Sequence, residues 1–293
     1  MEKRKPKKKS VGLALGGGGA RGLAHIGVIK ALEHAGIEIS FIAGTSMGAL
    51  VGGFYAATKD IETLEKLFLN VKEKDMLPVR KLLRTHKKAE SPFRDTQPVI
   101  EILKSHIEHI SIEKCKIPFS AVATDVKNGD TVILKKGPLT TAIQASTALP
   151  ILFAPVPVGE RLLADGGLVD PVPADVVRDM GAEFVVAVDV SREWPDISED
   201  TISIHGIKSL IADVLPALEF QIARHVLDKA DIVLHPPVAK YHWADFPEAN
   251  DIIRLGTAET AYYVKQIRNN AGYPKPVRTP IQKITDFFFD ANR

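Results

Sequence analysis

The sequence is poor in cysteine, in aromatic residues, in net charge and in long apolar runs, and each shortage removes a class of protein. One cysteine, Cys115, in 293 residues rules out an intramolecular disulfide framework and fits a reducing compartment. No catalytic-cysteine signature surrounds it, so it is read as an inert thiol. Lysine and arginine number 38 against 36 aspartates and glutamates, a net charge of +2 that gives no bulk attraction for nucleic acid. The longest stretch low in charge, Ile37 to Thr58, contains Glu38 and is rich in glycine, serine and threonine. It falls short of the roughly twenty apolar residues that a membrane span needs. The basic start runs into Val11–Leu15 and then glycines, which is no secretory leader. A cytoplasmic location is expected.

What is present is a hydrophobic content of 45%, ample for a packed core. No internal repeat or linker divides the chain. The expected organisation is a basic, disordered tail over 1–10 and a single domain over 11–293, with a motif-bearing core at 11–190 and a helical part at 200–293. Val11–Leu15 is a short apolar run ending in glycines, a buried-strand signal. Leu23, Ile26, Ile29 and Leu32 follow helical spacing, and Gly36 lies where a helix ends. Phe41–Gly44 reads as a second strand and Ala49–Ala57 as a helix of small residues. Two strand–glycine turn–helix units in succession indicate a parallel α/β sheet.

Further on, Phe119–Val126 and Thr131–Leu134 are expected to form a hairpin about Asn128-Gly129. Thr140–Ala148 and Pro171–Met180 read as helices, and Arg161–Ala164 and Phe184–Val190 as strands. Ile207–Ala230, Ile232–Leu234 and Ile252–Arg268 read as helix, strand and helix. Residues 72–94 hold eight lysines and arginines against three acids, which suggests a surface excursion or a lid.

The chemistry is written in two glycine-rich blocks. Gly44-Thr45-Ser46-Met47-Gly48 is a Gly-x-Ser-x-Gly pentapeptide after an apolar run and before a small-residue helix, the setting that projects a serine hydroxyl from a sharp turn. About thirty residues upstream, Gly16 to Gly19 followed by Ala20-Arg21-Gly22 offers bare N–H groups at a second strand-to-helix junction, where an oxyanion can be held. A serine needs a base. In α/β-hydrolases that base is a late histidine, and His205, His225, His235 and His242 are the late candidates. Yet about five strands precede the nucleophile in that fold, and here there is room for one. Asp165-Gly166-Gly167, at the end of a short strand, offers a carboxylate instead. An aspartate with pKa near 4 is a weak base, so burial would have to raise it.

These blocks, together with Ala145-Ser146-Thr147-Ala148-Leu149-Pro150, resemble the bacterial branch of the patatin-like phospholipases over roughly residues 11 to 190. The resemblance implies a three-layer α/β/α fold with a central, mostly parallel sheet. It implies a Ser46–Asp165 dyad, and an oxyanion hole from the N–H groups of Gly17, Gly18 and Gly19. Arg21, Gly22, Gly44, Gly48, Gly166 and Gly167 are the supporting positions, Arg21 as a brace of the loop. The implied activity is hydrolysis of acyl esters in lipids, with no cofactor and no metal.

Two other readings are open: a dinucleotide module using Gly17-x-Gly19-x-x-Gly22, which lacks the acidic residue expected after its second strand, and a non-catalytic lipid binder of the same fold. The basic tail is a candidate for contact with anionic lipid at the inner face of the membrane, and Phe287-Phe288-Phe289 for an interfacial anchor.

Overall fold

The computed structural model describes residues 7–72, 98–150, 152–191, 214 and 217–274. His205, most of the basic tail, nearly all of the 72–94 excursion, the first part of the expected helix at 207–230 and Phe287-Phe288-Phe289 lie outside the described residues. Among the described residues no helix is long and apolar enough to cross a membrane.

Eight strands make one sheet: β1 (Val11–Leu15), β2 (Ile39–Thr45), β3 (Phe119–Asp125), β4 (Thr131–Leu134), β5 (Val156–Val158), β6 (Arg161–Asp165), β7 (Phe184–Val188) and β8 (Ile232–Leu234). Their order is β5-β6-β3-β2-β1-β7-β8, with β4 also paired to β3. The run β3-β2-β1-β7-β8 is parallel; β4, β5 and β6 enter antiparallel. All five residues of β1 are buried, as expected of a strand covered on both faces.

The strand alternation sorts residues into two layers. Leu13, Leu15, Ile42, Val186 and Val188 join one large apolar cluster with α1 (Ala24–His34), α2 (Met47–Thr58) and the long helix Ala249–Asn270. Ala14, Ala43, Val185 and Ala187 face the other way, onto a helix at Ala174–Asp179 and onto Ala223. Helices thus cover both faces, giving three layers. Close approach of α1 and the long helix depends on two glycines. A side chain at Gly27 would meet Thr257 Oγ1 at 2.7 Å, and one at Gly256 would run into the Ala24 backbone.

The β3–β4 hairpin forms as expected, with Gly129 at φ 80°. The expected helix at Pro171–Met180 is shorter, Ala174–Asp179 with Pro173 as its N-cap, because a proline disfavours helical backbone in the residue before it, here Val172. Two helices and a strand were not anticipated. α3 (Ile61–Leu69) begins at Asp60, whose carboxylate accepts Thr63 N–H at 3.0 Å, and buries Ile61, Leu64 and Phe68. α4 (Pro98–Ile107) follows the undescribed stretch. β5 is only three residues with a central proline, which confines it to the sheet edge.

One feature of the register governs the site. Val122 of β3 pairs with Thr45, the last residue of β2, and its neighbour Ala123 pairs with Asp165, the last residue of β6. β4 occupies the opposite edge of the same β3 residues. β2 and β6 therefore meet end to end along one edge of β3. Their carboxyl termini converge.

Candidate active site

At that junction the chain leaves β2 through Ser46, whose φ of 53° and ψ of −121° place it in a region L-residues rarely adopt. Such strain costs roughly 1–3 kcal/mol and survives only where its surroundings enforce it. Two bonds do so: Ser46 N–H donates to Ser146 Oγ at 2.9 Å, and Ser46 C=O accepts Leu50 N–H at 3.1 Å. Ser146 is fully buried, and its hydroxyl donates a hydrogen bond to Val122 C=O at 2.6 Å. The two motif glycines have steric reasons. A side chain at Gly44 would strike the Gly48 backbone, and one at Gly48 would strike the carbonyl of Leu15. Without them α2 could not start directly above the ends of β1 and β2.

Ser46 Oγ donates to Asp165 Oδ2 at 2.7 Å. Asp165 is held from all sides. Its Oδ1 accepts Gly167 N–H at 2.9 Å, its backbone N–H donates to Ala148 C=O at 3.0 Å, and its carbonyl accepts Thr124 Oγ1 at 2.7 Å. Gly166 lies flat on β3, where any side chain would meet Val122. Burial pushes the Asp165 carboxyl up to about 6, against the opposing pull of Gly167 N–H and the Ser46 hydroxyl. That is a stronger base than a solvated aspartate, and it still ionises near neutral pH.

The glycine loop runs from β1 beside this pair. Gly17 N–H donates to Pro171 C=O at 3.0 Å, so it is already committed to the protein's own chain. Of the three expected oxyanion donors, the N–H groups of Gly18 and Gly19 are engaged by no described residue. Gly18 opens the short helix Gly19–Leu23. Gly19 lies against the Trp243 backbone and Gly22 against Met47, so both contacts require the absence of a side chain. Arg21 is buried to 1% exposure and donates from Nε to Val190 C=O at 3.0 Å and from Nη1 to Tyr241 C=O at 3.4 Å, tying the loop to two distant segments.

Of the four late histidines His205 lies outside the described residues, and His225, His235 and His242 make no bond to Ser46. Among the described residues Ser46 Oγ bonds only Asp165. His235 lies 3.6 Å from Asp189, and His242 Nδ1 accepts Ala244 N–H. The earlier His25 is the nearest in function. It is fully buried, and its Nε2 stands 2.8 Å from Gly16 C=O. A carbonyl only accepts, so Nε2 carries the proton and His25 steadies the loop rather than acting as a base. Burial holds it neutral, with its pKa lowered to about 4. Burial likewise pushes the half-buried Cys115 thiol up to about 11, which leaves it little thiolate at neutral pH.

Three residues of the site lay beyond the sequence reading. Ser146 fell within a quoted block but had no role assigned to it. His25 had only the helical pattern around it. Glu219 had no local signal at all; its carboxyl is buried beside Gly17 and Gly167.

Fold and site together define an α/β protein with a serine–aspartate pair at the carboxyl edge of its sheet. The chain belongs to the patatin-like phospholipase family, whose model matches residues 13–178. It is 36% identical over 222 residues to an uncharacterised NTE family protein of Mycobacterium tuberculosis, covering 75% of this chain and 60% of that one. It is 33% identical over 273 residues to a patatin-like phospholipase domain-containing protein of Caenorhabditis elegans, covering 84% and 20%. Neuropathy target esterase sws of Drosophila melanogaster matches at 33% over 186 residues, 63% of this chain and 13% of that one. The chain thus spans 60% or less of the length of these relatives. Among solved structures, VipD from Legionella pneumophila aligns with a TM-score of 0.47 at 15% identity, over 89% of this chain and 67% of its own.

Proposed function

We propose that the protein is a serine hydrolase of lipid acyl esters, with Ser46 as nucleophile and Asp165 as its base. The observation that carries the reading is the 2.7 Å hydrogen bond from Ser46 Oγ to Asp165, made by a serine held in a strained turn. As Ser46 Oγ bonds to the ester carbonyl carbon, its proton passes to Asp165. The Gly18 and Gly19 amides and the start of α2 stabilise the negative oxygen. The bond to the leaving alcohol then breaks and that alcohol takes the proton from Asp165. Water repeats the sequence, releasing the acid and restoring Ser46. A base of this strength suits alcohol leaving groups better than amines.

The lipid substrate class is supported by the family and by relatives named as phospholipase and esterase. Contact of the basic tail with an anionic inner membrane face is a separate part of the proposal. Lys8 pairs with Glu38 at 2.8 Å and Lys7 with Glu183 at 3.8 Å, which occupies part of the basic tail.

The test is fluorophosphonate labelling together with turnover of p-nitrophenyl esters. Ser46→Ala should abolish both, and Asp165→Asn should lower kcat by several orders of magnitude while the circular dichroism spectrum stays unchanged. Retained turnover in Ser46→Ala overturns the reading. Mass spectrometry of products from lysophospholipids, phospholipids and acyl thioesters then identifies the preferred substrate.

A further inference from the structure

Residues 217–226 are helical, and the Glu219 side chain points from that helix into the site at 7% exposure. Two glycines report where its carboxyl lies. A side chain built on Gly17 would stand 3.3 Å from Ser46 Cβ and 3.8 Å from Glu219 Oε2. One built on Gly167 would strike Glu219 Oε1, with Glu219 Cδ at 2.8 Å and Asp165 Oδ1 at 3.3 Å. The carboxyl therefore sits between the oxyanion loop and the loop that carries the base, within reach of whatever binds over Ser46. No hydrogen bond joins it to any described residue. Among the described residues its donor and acceptor capacity is unused.

The surrounding charges decide its protonation state. Asp165 faces it from the end of β6, Asp189 from the end of β7 and Arg21 from the glycine loop; His235 lies 3.6 Å from Asp189 on the far side and is itself largely exposed. Three buried carboxyl groups thus share one buried guanidinium. Among the described residues one guanidinium cannot offset a buried anion on each of these groups, so the proton stays on Glu219. Burial and the Asp165 charge push its pKa up, with Arg21 opposing, to about 8.

We propose that Glu219 is a second carboxyl group of the catalytic centre, working in its protonated form as a hydrogen-bond donor to the acyl oxygen bound between Ser46 and the glycine loop. The proton stays on Glu219 throughout; the Ser46 proton travels through Asp165 as before. Ionisation of Glu219 removes this donor and sets a second negative charge beside the oxyanion, so turnover stops on the alkaline side. The proposal rests on the Ser46–Asp165 reading.

The test is the pH dependence of kcat and KM for p-nitrophenyl ester hydrolysis, corrected for spontaneous hydrolysis, in wild type, Glu219→Gln and Glu219→Leu. Wild type should lose activity as pH rises through the Glu219 ionisation. Glu219→Gln, which keeps an N–H donor, should hold kcat within a few-fold and lose that alkaline limb. Glu219→Leu should lower kcat about 100-fold, the scale of one oxyanion donor, with KM little changed. Wild-type kcat in both variants, or an equal loss in both, overturns the proposal. So does the absence of an alkaline limb in the rate of fluorophosphonate labelling of wild type, which decides the matter even if a variant fails to fold. If Ser46→Ala is inactive and these results are unaltered by Glu219, only this inference fails; if Ser46→Ala is active, the dyad fails first.

Discussion

Replacing Asp165 by asparagine should stabilise the folded chain at pH 8 while abolishing turnover. Asp165 is fully buried, and burial lifts its folded pKa from 3.8 to about 6. Below about pH 4 the group is protonated in the folded and unfolded chains alike, and it costs the fold nothing. Between about 4 and 6 the unfolded chain releases the proton while the folded chain keeps it, so stability falls as pH rises. Above about 6 the penalty is constant, and at 1.36 kcal/mol per pH unit it comes to about 3 kcal/mol. Asparagine keeps the carbonyl that accepts Gly167 N–H and presents an amide to Ser46 Oγ, so both hydrogen bonds survive with the second reversed in direction. The burden of the buried charge disappears. Against a total stability of about 5–15 kcal/mol, a gain approaching 3 kcal/mol is readily measured. Urea unfolding of wild type and Asp165→Asn at pH 4 and pH 8 provides the assay, with the midpoint difference expected to be large at pH 8 and near zero at pH 4. A variant less stable than wild type at pH 8, or a difference independent of pH, refutes the reasoning.

Other outcomes follow from the same geometry. Because Asp165 must be ionised to accept a proton, kcat/KM should decline on acidification through about pH 6, and a profile flat down to pH 4 would show that another group is the base. Ser146→Ala leaves Ser46 N–H buried without its acceptor and should cost about 1–3 kcal/mol, with kcat falling at least tenfold as the strained turn relaxes; denaturant melts and single-turnover kinetics check both. Gly256→Ala drives a methyl group into the Ala24 backbone and should destabilise by about 1–3 kcal/mol, visible as a lowered Tm with the ester KM unchanged.

The site was largely legible because its glycines have local causes. Gly44 and Gly48 flank a turn whose sharpness is encoded within five residues, and Asp165 announces itself by the two glycines that follow it. α1 and the strand β1 were equally plain from apolar spacing. α3 carried a usable signal, Asp60 as N-cap ahead of Ile61, Leu64 and Phe68, that was not anticipated. β5 carried almost none, since three residues with a central proline have no period to detect. What no local pattern holds is the way distant segments meet. The capture of Gly17 N–H by Pro171 follows from how the loop after Gly167 folds back on β1. Glu219 sits on an ordinary amphipathic helix and acquires meaning only because Gly167 leaves space for it. His25 looks like any residue on a buried helix face until its ring is found against Gly16.

The meeting of β2 and β6 along β3 has a consequence for how this architecture tolerates change. Hydroxyl and carboxylate stand 119 residues apart in the chain, yet their separation is gauged by one backbone ladder, from Val122 to Ala123. Whatever the intervening stretches do, growing, shrinking or being exchanged for other sequences, that yardstick stays fixed as long as β3 keeps its register. Diversity in what surrounds the reacting atoms can accumulate in those stretches without retuning the atoms themselves.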